Sequence, residues 1–203
     1  MMPLLAILIP TLNEREQLFN RLLEQLNNQR AGKECIIIPN FDDREKSTGV
    51  KRNECLDKAR EANASHVAFF DDDDLPGPNY IDLQMEVVHG NYDCGSLWGQ
   101  YWENGKMSNP FHHSIIYDKW FQDSKYFYRN PNHLNCIKLE LLNDIRFQDK
   151  TIGEDGHYSI DLHKAGLLKN EFQINEIIYY YFAGGKKNHS LEPLMAAQRG
   201  TKL

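Results

Sequence analysis

Four consecutive aspartates, at positions 71–74, form the group of side chains best suited to chemistry in this sequence. They follow an apolar stretch, residues 67–70, and precede a segment with two prolines and a glycine. Adjacent carboxylates repel one another, so such a cluster at the end of a buried strand costs stability unless a cation or hydrogen-bond donors neutralise it. Because alternate side chains of an extended chain face the same way, Asp71 and Asp73 are predicted to share one hard cation, with Asp72 turned towards hydroxyls or backbone donors. The competing interpretation is a solvated acidic loop.

Polar residues also follow the two earlier strands that the sequence predicts. The first polar segment contains Pro10, Thr11, Asn13 and Glu14, and the second contains Asp42 and Asp43. In an open parallel sheet, ligands bind beyond the carboxyl ends of the strands. Three polar segments at such ends therefore predict one shared pocket, although Asn and Asp are also common in ordinary turns.

Residues 47–53 are suited to binding an anion. This segment supplies a glycine, Gly49, and two cations, Lys51 and Arg52, at the start of a predicted helix. Backbone amides at a helix N-terminus bind phosphate groups, and neighbouring cations strengthen that interaction. The segment therefore predicts a phosphate contact. The alternative is that Lys51 and Arg52 are solvated residues of the helix surface.

A second acidic pair, Glu154 and Asp155, opens another predicted helix. A carboxylate held at a fixed helix end opposite a metal site can act as a general base, although acids at a helix start also complement the helix dipole. The histidines show no metal-ligand spacing. One of them, His189, lies in a basic segment and is predicted as a third metal ligand or a diphosphate contact, with a solvated tail as the alternative.

The hydrophobic pattern of the first half predicts the elements that would position these residues. Apolar runs indicate strands, and amphipathic patterns indicate helices between them. The strands are predicted at residues 3–9, 35–38 and 66–70, and the helices begin near Asn13 and span residues 50–62. This alternation predicts an α/β fold with a mostly parallel central sheet flanked by helices.

The first predicted helix has a start signal and one apolar face. Glu16 lies three residues after Asn13, a spacing typical of a capping box. Leu18, Leu22 and Leu26 recur at four-residue spacing, so they predict the face that packs on the sheet.

The second half has a less regular pattern. The predicted elements are a helix over residues 79–88, an irregular strand over 92–102, a helix over 154–164 that Gly166 ends, and a strand over 171–182. Residues 104–131 are rich in aromatic residues, Asn and His with no clean period. They are therefore predicted to be a loop-rich segment that covers a pocket.

Composition limits the class of protein. The chain has 203 residues, of which 41% are hydrophobic and 26% charged, as is typical of one globular domain. The net charge of -6 argues against a general binder of nucleic-acid backbones. Four widely spaced cysteines predict free thiols in a reducing compartment, the cytoplasm. No apolar run approaches the ~20 residues that cross a bilayer, so no transmembrane segment is predicted.

The order of these motifs resembles that of the inverting nucleotide-sugar glycosyltransferases of family 2, which have the GT-A (Rossmann-like) fold. That family has Pro-Thr-x-Asn after its first strand, Asp-Asp after its second, Arg-Asn at a helix start, an Asp-x-Asp metal motif, and a later Glu-Asp pair. The matching residues are Pro10, Thr11 and Asn13; Asp42 and Asp43; Arg52 and Asn53; residues 71–74; and Glu154 and Asp155. Arg44 and Glu45 stand where the family usually has Gly-Ser.

The resemblance implies a role for each group. Donor-site residues are implied to be Thr11, Asn13 and Asp42 or Asp43 at the nucleoside, Lys51 and Arg52 near the diphosphate, Asp71 and Asp72 near the ribose, and Pro10 and Glu14 beside them. Asp73 would bind Mn2+ or Mg2+, which bridges the two phosphates. Asp155 would accept the proton of the acceptor hydroxyl, with Glu154 also at the acceptor.

The resemblance also implies the substrates. Residues 1–100 would bind the nucleotide-sugar donor, a UDP-sugar in the first place, and residues 101–203 would bind a glycan, lipid-linked or protein acceptor during glycan or polysaccharide synthesis. A hydroxylated DNA base is a less favoured acceptor, suggested by the basic residues Lys186, Lys187, Arg199 and Lys202. A non-catalytic module that binds nucleotide-sugars or carbohydrates is the alternative of a different class.

Overall fold

The computed structural model describes residues 4–183, which fold into two six-stranded sheets and four α-helices. In chain order the elements are β1 (Leu5–Pro10), α1 (Glu16–Arg30), β2 (Cys35–Asn40), α2 (Thr48–Glu61), β3 (His66–Phe69), β4 (Leu75–Pro76), α3 (Tyr80–His89), β5 (Cys94–Gly95), β6 (Leu97–Glu103), β7 (Lys106–His113), β8 (Phe121–Gln122), β9 (Phe127–Arg129), β10 (Ile137–Lys138), α4 (Glu154–Ala165), β11 (Glu171–Phe172) and β12 (Ile177–Ala183). Short 3-10 helices cover Asn13–Arg15 and Leu139–Leu142.

The central sheet has the strand order β11-β5-β10-β3-β1-β2. Strand β1 pairs in parallel with both β2 and β3, as the alternation of strand and helix predicts, whereas β10 pairs antiparallel to β3 and β5. All six residues of β1 are buried because helices cover both faces of the sheet. Leu5, Ile7 and Ile9 share a core with α1 and α3, and Ala6 and Leu8 share one with α2 and α4. This rigid layer fixes the polar segments at its strand ends.

The second sheet, with the order β4-β12-β6-β7-β9-β8, corrects the prediction for residues 104–131. That stretch holds β7, β8 and β9 rather than loops alone. Strands β6 and β7 form a hairpin whose two turn residues, Asn104 and Gly105, have φ values of 52° and 77°. Asn-Gly in this conformation is a strong hairpin signal, so the sequence contained the cue.

The last predicted strand is also divided. Residues 171–182 form β11 in the central sheet and β12 in the second sheet. Strand β12 runs parallel to β6, with a bulge between Ile177 and Tyr179, and antiparallel to the short β4. Because β4 follows the four aspartates directly, this pairing brings β12 against the acidic run.

The helix ends agree with the sequence in one case and differ in another. Helix α4 ends at Gly166, whose φ of 61° suits glycine, as predicted. The prediction of a capping box at Asn13 is wrong. Asn13 begins a 3-10 turn, and its Nδ2 donates to Asp43 Oδ1 at 2.9 Å instead of capping α1. The Asp43 carboxylate competes successfully for the Asn13 side chain because the loops after β1 and β2 lie side by side.

All four cysteines are buried free thiols, as their spacing predicts. Within residues 4–183, every helix is too short or too polar to cross a bilayer.

Candidate active site

Two adjoining cavities lie at the ends of the central strands. The larger has a volume of about 1000 Å³ and the smaller about 390 Å³. Arg52, Asp71 and Thr151 line both cavities, so the two spaces meet at these residues. The arrangement provides room for two ligands whose facing ends would lie near Arg52 and Asp71.

The residues predicted to bind a donor divide into two sets. Those that line the larger cavity are Pro10, Thr11, Glu14, Lys51, Arg52, Asp71 and Asp72, with Asp73 beside them. Asn13, Asp42 and Asp43 do not line it. Cavity residues that the sequence reasoning did not select include Arg15, Gln17, Arg44, Lys46, Thr48 and Thr151.

The first two aspartates of the acidic run have separate partners. Asp71 Oδ1 accepts from Arg52 Nη2 at 2.9 Å, and its Oδ2 lies 3.6 Å from His133 Nε2. Burial would raise the pKa of Asp71, but the Arg52 charge and His133 outweigh it and hold that pKa below its usual value. Asp72 accepts from Thr11 Oγ1 at 2.5 Å, so it meets a hydroxyl as predicted, and burial raises its pKa to about 6.

The last two aspartates face different surroundings. Asp73 Oδ2 lies 2.5 Å from Arg15 Nη2, which also contacts Asp72 Oδ1 at 2.8 Å. Asp74 is fully buried, where it accepts from the Tyr179 hydroxyl at 2.6 Å and from the Phe182 N–H at 2.9 Å. Tyr179 and Phe182 belong to β12, so Asp74 joins the two sheets. The acidic run is therefore neutralised by specific donors and is not a solvated loop.

The fit of these carboxylates to a divalent metal depends on the other ligands. Within residues 4–183, no three His, Cys, Asp or Glu side chains converge as a metal-binding group. Asp71 and Asp73 nevertheless keep 26% and 40% of their side-chain surface exposed beside the larger cavity. Mg2+ is often bound by one or two carboxylates together with substrate phosphates and water. The pair fits an ion that shares its coordination with a diphosphate, and does not fit an all-protein cage.

Arg52 is the centre of the junction between the cavities. It is buried, and its Nη1 donates to Glu154 Oε1 at 2.7 Å while its Nη2 reaches Asp71 and His133. Its guanidinium also lies 5.5 Å from the centre of the Phe147 ring. Arg52 is thus a fixed structural cation between two carboxylates, and not the solvated helix residue of the alternative interpretation.

Two amides at the start of α2 are already bonded within the protein. The N–H of Gly49 donates to Lys150 O at 3.0 Å, and the N–H of Val50 donates to Ser47 Oγ at 3.2 Å. A Cβ on Gly49 would lie 1.9 Å from Gln148 O. The glycine is needed here because residues 148–150 pack directly on the helix end, and the amides of Gly49 and Val50 are therefore not available to an anion.

Lys51 is also held within the protein. Its Nζ donates to Asp42 Oδ1 at 2.7 Å and to Thr11 O at 2.9 Å, and both charged side chains are buried. Burial would raise the pKa of Asp42, but the hydrogen bond from Lys51 and that from the Lys46 amide lower it. Asp42 therefore positions Lys51 at the larger cavity.

The two acids at the start of α4 differ in burial and in their hydrogen-bond partners. Glu154 is buried against Arg52, and burial raises its pKa despite that cation. Asp155 accepts only the N–H of Gly156, at 2.8 Å, and forms no ion pair with any residue in the range 4–183. Both line the smaller cavity. Asp155 therefore has oxygen lone pairs available to a ligand there.

The second sheet builds the opposite wall of the smaller cavity. Tyr101, Phe111, Trp120, Arg129 and Tyr181 contribute to that wall. Arg129 Nη2 donates to the Tyr101 hydroxyl at 2.7 Å, and its guanidinium lies 4.2 Å from the centre of the Trp120 ring. None of these five residues was selected from the sequence, because their aromatic pattern has no period that separates cavity walls from core.

Several predicted residues lie outside the described range. They are His189 and the basic residues Lys186, Lys187, Arg199 and Lys202.

Comparison with known proteins gives matches among solved structures. No protein-family model and no curated protein sequence matches the chain. The structure of S. aureus TarS 1-349 in complex with UDP-GlcNAc has a TM-score of 0.62 and 14% identity over 91% of this chain and 60% of that chain. The UDP complex of TarS 1-349 has a TM-score of 0.60 and 15% identity over 97% and 63%. A further TarS structure has a TM-score of 0.58 and 14% identity over 89% and 37%.

These matches establish the fold. The chain has a mixed α/β fold of the GT-A type, as the order of its motifs implied. It spans about 60% of the length of the TarS 1-349 structures.

Proposed function

We propose that this chain is a metal-dependent, inverting glycosyltransferase of the family 2 type, which moves a sugar from a nucleotide diphosphate to an acceptor hydroxyl. One observation carries the proposal: two cavities meet at Arg52 and Asp71, and the smaller one is lined by Asp155, a carboxylate without an ion pair among residues 4–183. Such a pair of cavities suits a donor and an acceptor whose reacting atoms must meet. The GT-A fold and the UDP-GlcNAc bound to TarS support a UDP-sugar as donor.

The larger cavity is the proposed donor site. Its lining includes five cations. Arg15, Arg44 and Lys46 are partly exposed and are the proposed direct contacts of a diphosphate, whereas Lys51 and Arg52 are buried on carboxylates and would contribute only positive charge nearby. Asp71 and Asp73 are the proposed ligands of Mn2+ or Mg2+. When bound with the donor, such an ion neutralises charge on the departing nucleoside diphosphate. Arg15, which contacts Asp73, is positioned to turn towards a phosphate oxygen.

Asp155 is the proposed general base. Its carboxylate would take the proton from the acceptor hydroxyl as that oxygen forms a bond to the anomeric carbon. The bond from the anomeric carbon to the diphosphate oxygen breaks with its electron pair on the leaving group. Because attack and departure are on opposite faces, one displacement inverts the configuration. Glu154 would support the acceptor side by holding Arg52 at the junction.

Calorimetry with UDP-, GDP- and dTDP-sugars, each with and without Mn2+, tests the donor and metal assignments. We expect one nucleotide class to bind, and to bind more tightly with Mn2+. Asp73→Asn should remove the Mn2+-dependent increase in affinity, whereas Asp82→Asn, a surface residue paired with Lys33, should retain it. Absence of affinity for every sugar nucleotide with Mn2+ present would reject the proposal.

Turnover separates an enzyme from a binding module. Release of free sugar or transfer to an added acceptor from the bound nucleotide-sugar identifies an enzyme. Tight binding with no release and no transfer to glycan, lipid-linked or protein acceptors would instead support the non-catalytic module.

A further inference from the structure

In a chain that transfers sugar as proposed above, we propose that the smaller cavity selects an acceptor sugar or polyol that carries an anionic group, a phosphate or a carboxylate, and that Arg129 binds this group. Arg129 would thereby be a specificity-determining residue on the acceptor side.

Arg129 has hydrogen-bonding capacity that the described protein does not use. A guanidinium has five N–H donors and stays charged at any ordinary pH. In the range 4–183, Arg129 forms no ion pair, and the one hydrogen bond of its guanidinium goes to the neutral hydroxyl of Tyr101. Its other contacts are the faces of Trp120 and Tyr101, at 4.2 and 5.8 Å from the ring centres. Arg129 is therefore held in place by uncharged groups and has no ion-pair partner among the described residues.

The other arginine of the cavity shows the contrast. The two terminal nitrogens of Arg52 are engaged, since they contact Glu154, Asp71 and His133. It serves the junction and cannot take a further anion without losing one of these partners. Arg129 lies in the wall built by the second sheet and is the cation with donors to spare. A partly buried cation without a counter-ion has lost part of its hydration. Charge-assisted hydrogen bonds to an anionic ligand would offset that free-energy cost.

The distribution of charge also fixes the direction in which such an acceptor would lie. Asp71, Glu154 and Asp155 line the same cavity as Arg129 and would repel an anionic group. The anionic group must therefore sit at Arg129, which turns a neutral hydroxyl of the same molecule towards the carboxylates. That orientation places the hydroxyl where Asp155 can accept its proton.

The size and lining of the cavity suit one sugar or polyol unit. A volume of about 390 Å³ is near the lower end of the range for small-ligand sites, about 300–1,000 Å³. The rings of Tyr101, Phe111 and Tyr181 supply apolar surface for the ring or chain carbons. Arg129 is thus a charged contact at the edge of an aromatic cavity.

Binding of glucose, glucose 6-phosphate and glucuronate tests the assignment. The probes are titrated into the full chain in the presence of saturating UDP, which keeps phosphate probes out of the larger cavity. Binding at this site is followed by the NMR signal of the Trp120 indole, because Trp120 lines the smaller cavity. The chain has three tryptophans, and single Trp→Phe variants assign their signals. We expect at least one charged probe to bind about tenfold more tightly than glucose and to shift the Trp120 signal, since charge-assisted hydrogen bonds are the stronger ones.

Variants assign that preference to the arginine. Arg129→Gln should remove the preference for charged probes and leave glucose affinity within about twofold. Lys164→Gln is the matched control: it removes a cation at the far end of α4, ten residues or about 15 Å from Glu154, and should keep the preference. Arg129→Lys keeps the charge and should retain part of the preference for charged probes. This variant shows that loss of the preference in Arg129→Gln comes from the missing charge and not from a folding defect.

The remaining outcomes have fixed meanings. Equal affinity for all three probes in the unmodified chain, or a preference that survives Arg129→Gln, overturns the assignment. A preference for the phosphate alone or the carboxylate alone supports it and identifies the source of the anion. If nucleotide-sugars bind with Mn2+ but charged probes show no preference, the anionic acceptor is rejected and the transferase proposal stands. If charged probes bind at Arg129 and no nucleotide binds, the anion site stands, while its role as an acceptor site and the transferase proposal fail.

Discussion

The two sheets differ in composition and in what they contribute to the cavities. The central sheet is aliphatic: every residue of β1 is buried, and its alternate side chains pack into two separate cores. The second sheet is aromatic, with ring contacts such as the stack of Trp98 on His112 at 4.1 Å. Charged residues gather where the central strands end, and aromatic rings together with Arg129 form the facing wall. In the proposed reaction, the central sheet would hold the reacting groups, and the second sheet would select the acceptor.

The largest expected effect comes from Asp155, the proposed base in the smaller cavity. Asp155→Asn should lower the rate of sugar transfer about 10²- to 10⁴-fold, the usual contribution of a general base, and leave donor affinity unchanged. Transfer kinetics and calorimetry with the nucleotide-sugar measure the two quantities. Asp161→Asn, an exposed position on the same helix, is the control. Near-normal turnover of the Asp155→Asn protein would show that the base lies elsewhere.

Removal of the buried cation at the central strand ends should give the largest loss of stability. Arg52→Met leaves Glu154 and Asp71 without their partner, so the free energy of unfolding should fall by about 3–5 kcal/mol in denaturant titrations. Adding Glu154→Gln should recover part of that loss, since it removes one unpaired charge. Arg146→Met breaks an exposed pair with Asp57 and should cost less than about 1 kcal/mol. Similar costs for both arginines would contradict the central role of Arg52.

The second sheet should contribute to acid sensitivity through His112. Burial lowers the pKa of His112 to about 4, below the about 6.5 expected in the unfolded chain. As the pH falls, the unfolded state therefore binds a proton at His112 before the folded state does. The free energy of unfolding is highest above about pH 6.5 and decreases by about 3 kcal/mol for this residue as the pH drops towards 4.

His112→Phe should remove that share of the pH dependence in denaturant titrations at pH 7 and pH 4. His89→Gln, at the exposed end of α3, should leave it intact. Burial also lowers the pKa of the neighbouring His113, so a smaller acid effect should remain in the phenylalanine variant. An unchanged pH profile in that variant would remove His112 as a cause of acid sensitivity.

The smallest predicted effects compare tight glycine contacts in the two regions. A Cβ on Gly49 would meet the backbone oxygen of Gln148 at 1.9 Å, and one on Gly99 would meet the Phe111 ring at 2.0 Å. Each alanine variant should lower the free energy of unfolding by about 1–3 kcal/mol. Phe111→Leu should relieve the Gly99→Ala variant, because a smaller side chain makes room. The same substitution should not help Gly49→Ala, where backbone is the obstacle; equal rescue would refute this distinction.

The sequence predicted the central sheet better than the second because the two use different patterns. Strand β1 is an uninterrupted apolar run, β3 is apolar after His66, and α1 has a regular apolar face, so local signals suffice. Strands β7 to β9 mix aromatic, polar and histidine side chains, and only the Asn104–Gly105 turn marks the hairpin.

The candidate site shows the same limit. The acidic run was located from its position after a strand, but its partners Arg15, His133 and Tyr179 come from distant segments of the chain. Arg129 and Trp120 lie in the stretch without periodicity. Such neighbours depend on tertiary packing, which a single sequence does not encode in any local pattern.

The bulge in β12 determines which way Tyr179 points. The Tyr179 hydroxyl donates to Asp74 and accepts a hydrogen bond from the backbone N–H of Asp71, so one side chain bonds to two members of the acidic run. Because side chains of a strand alternate between faces, a slip of a single residue would send this hydroxyl to the opposite face. Insertions or deletions between β11 and the bulge should therefore disturb the aspartates from a distance, whereas the outer edge at β8 offers a place where loop length can vary or be engineered freely.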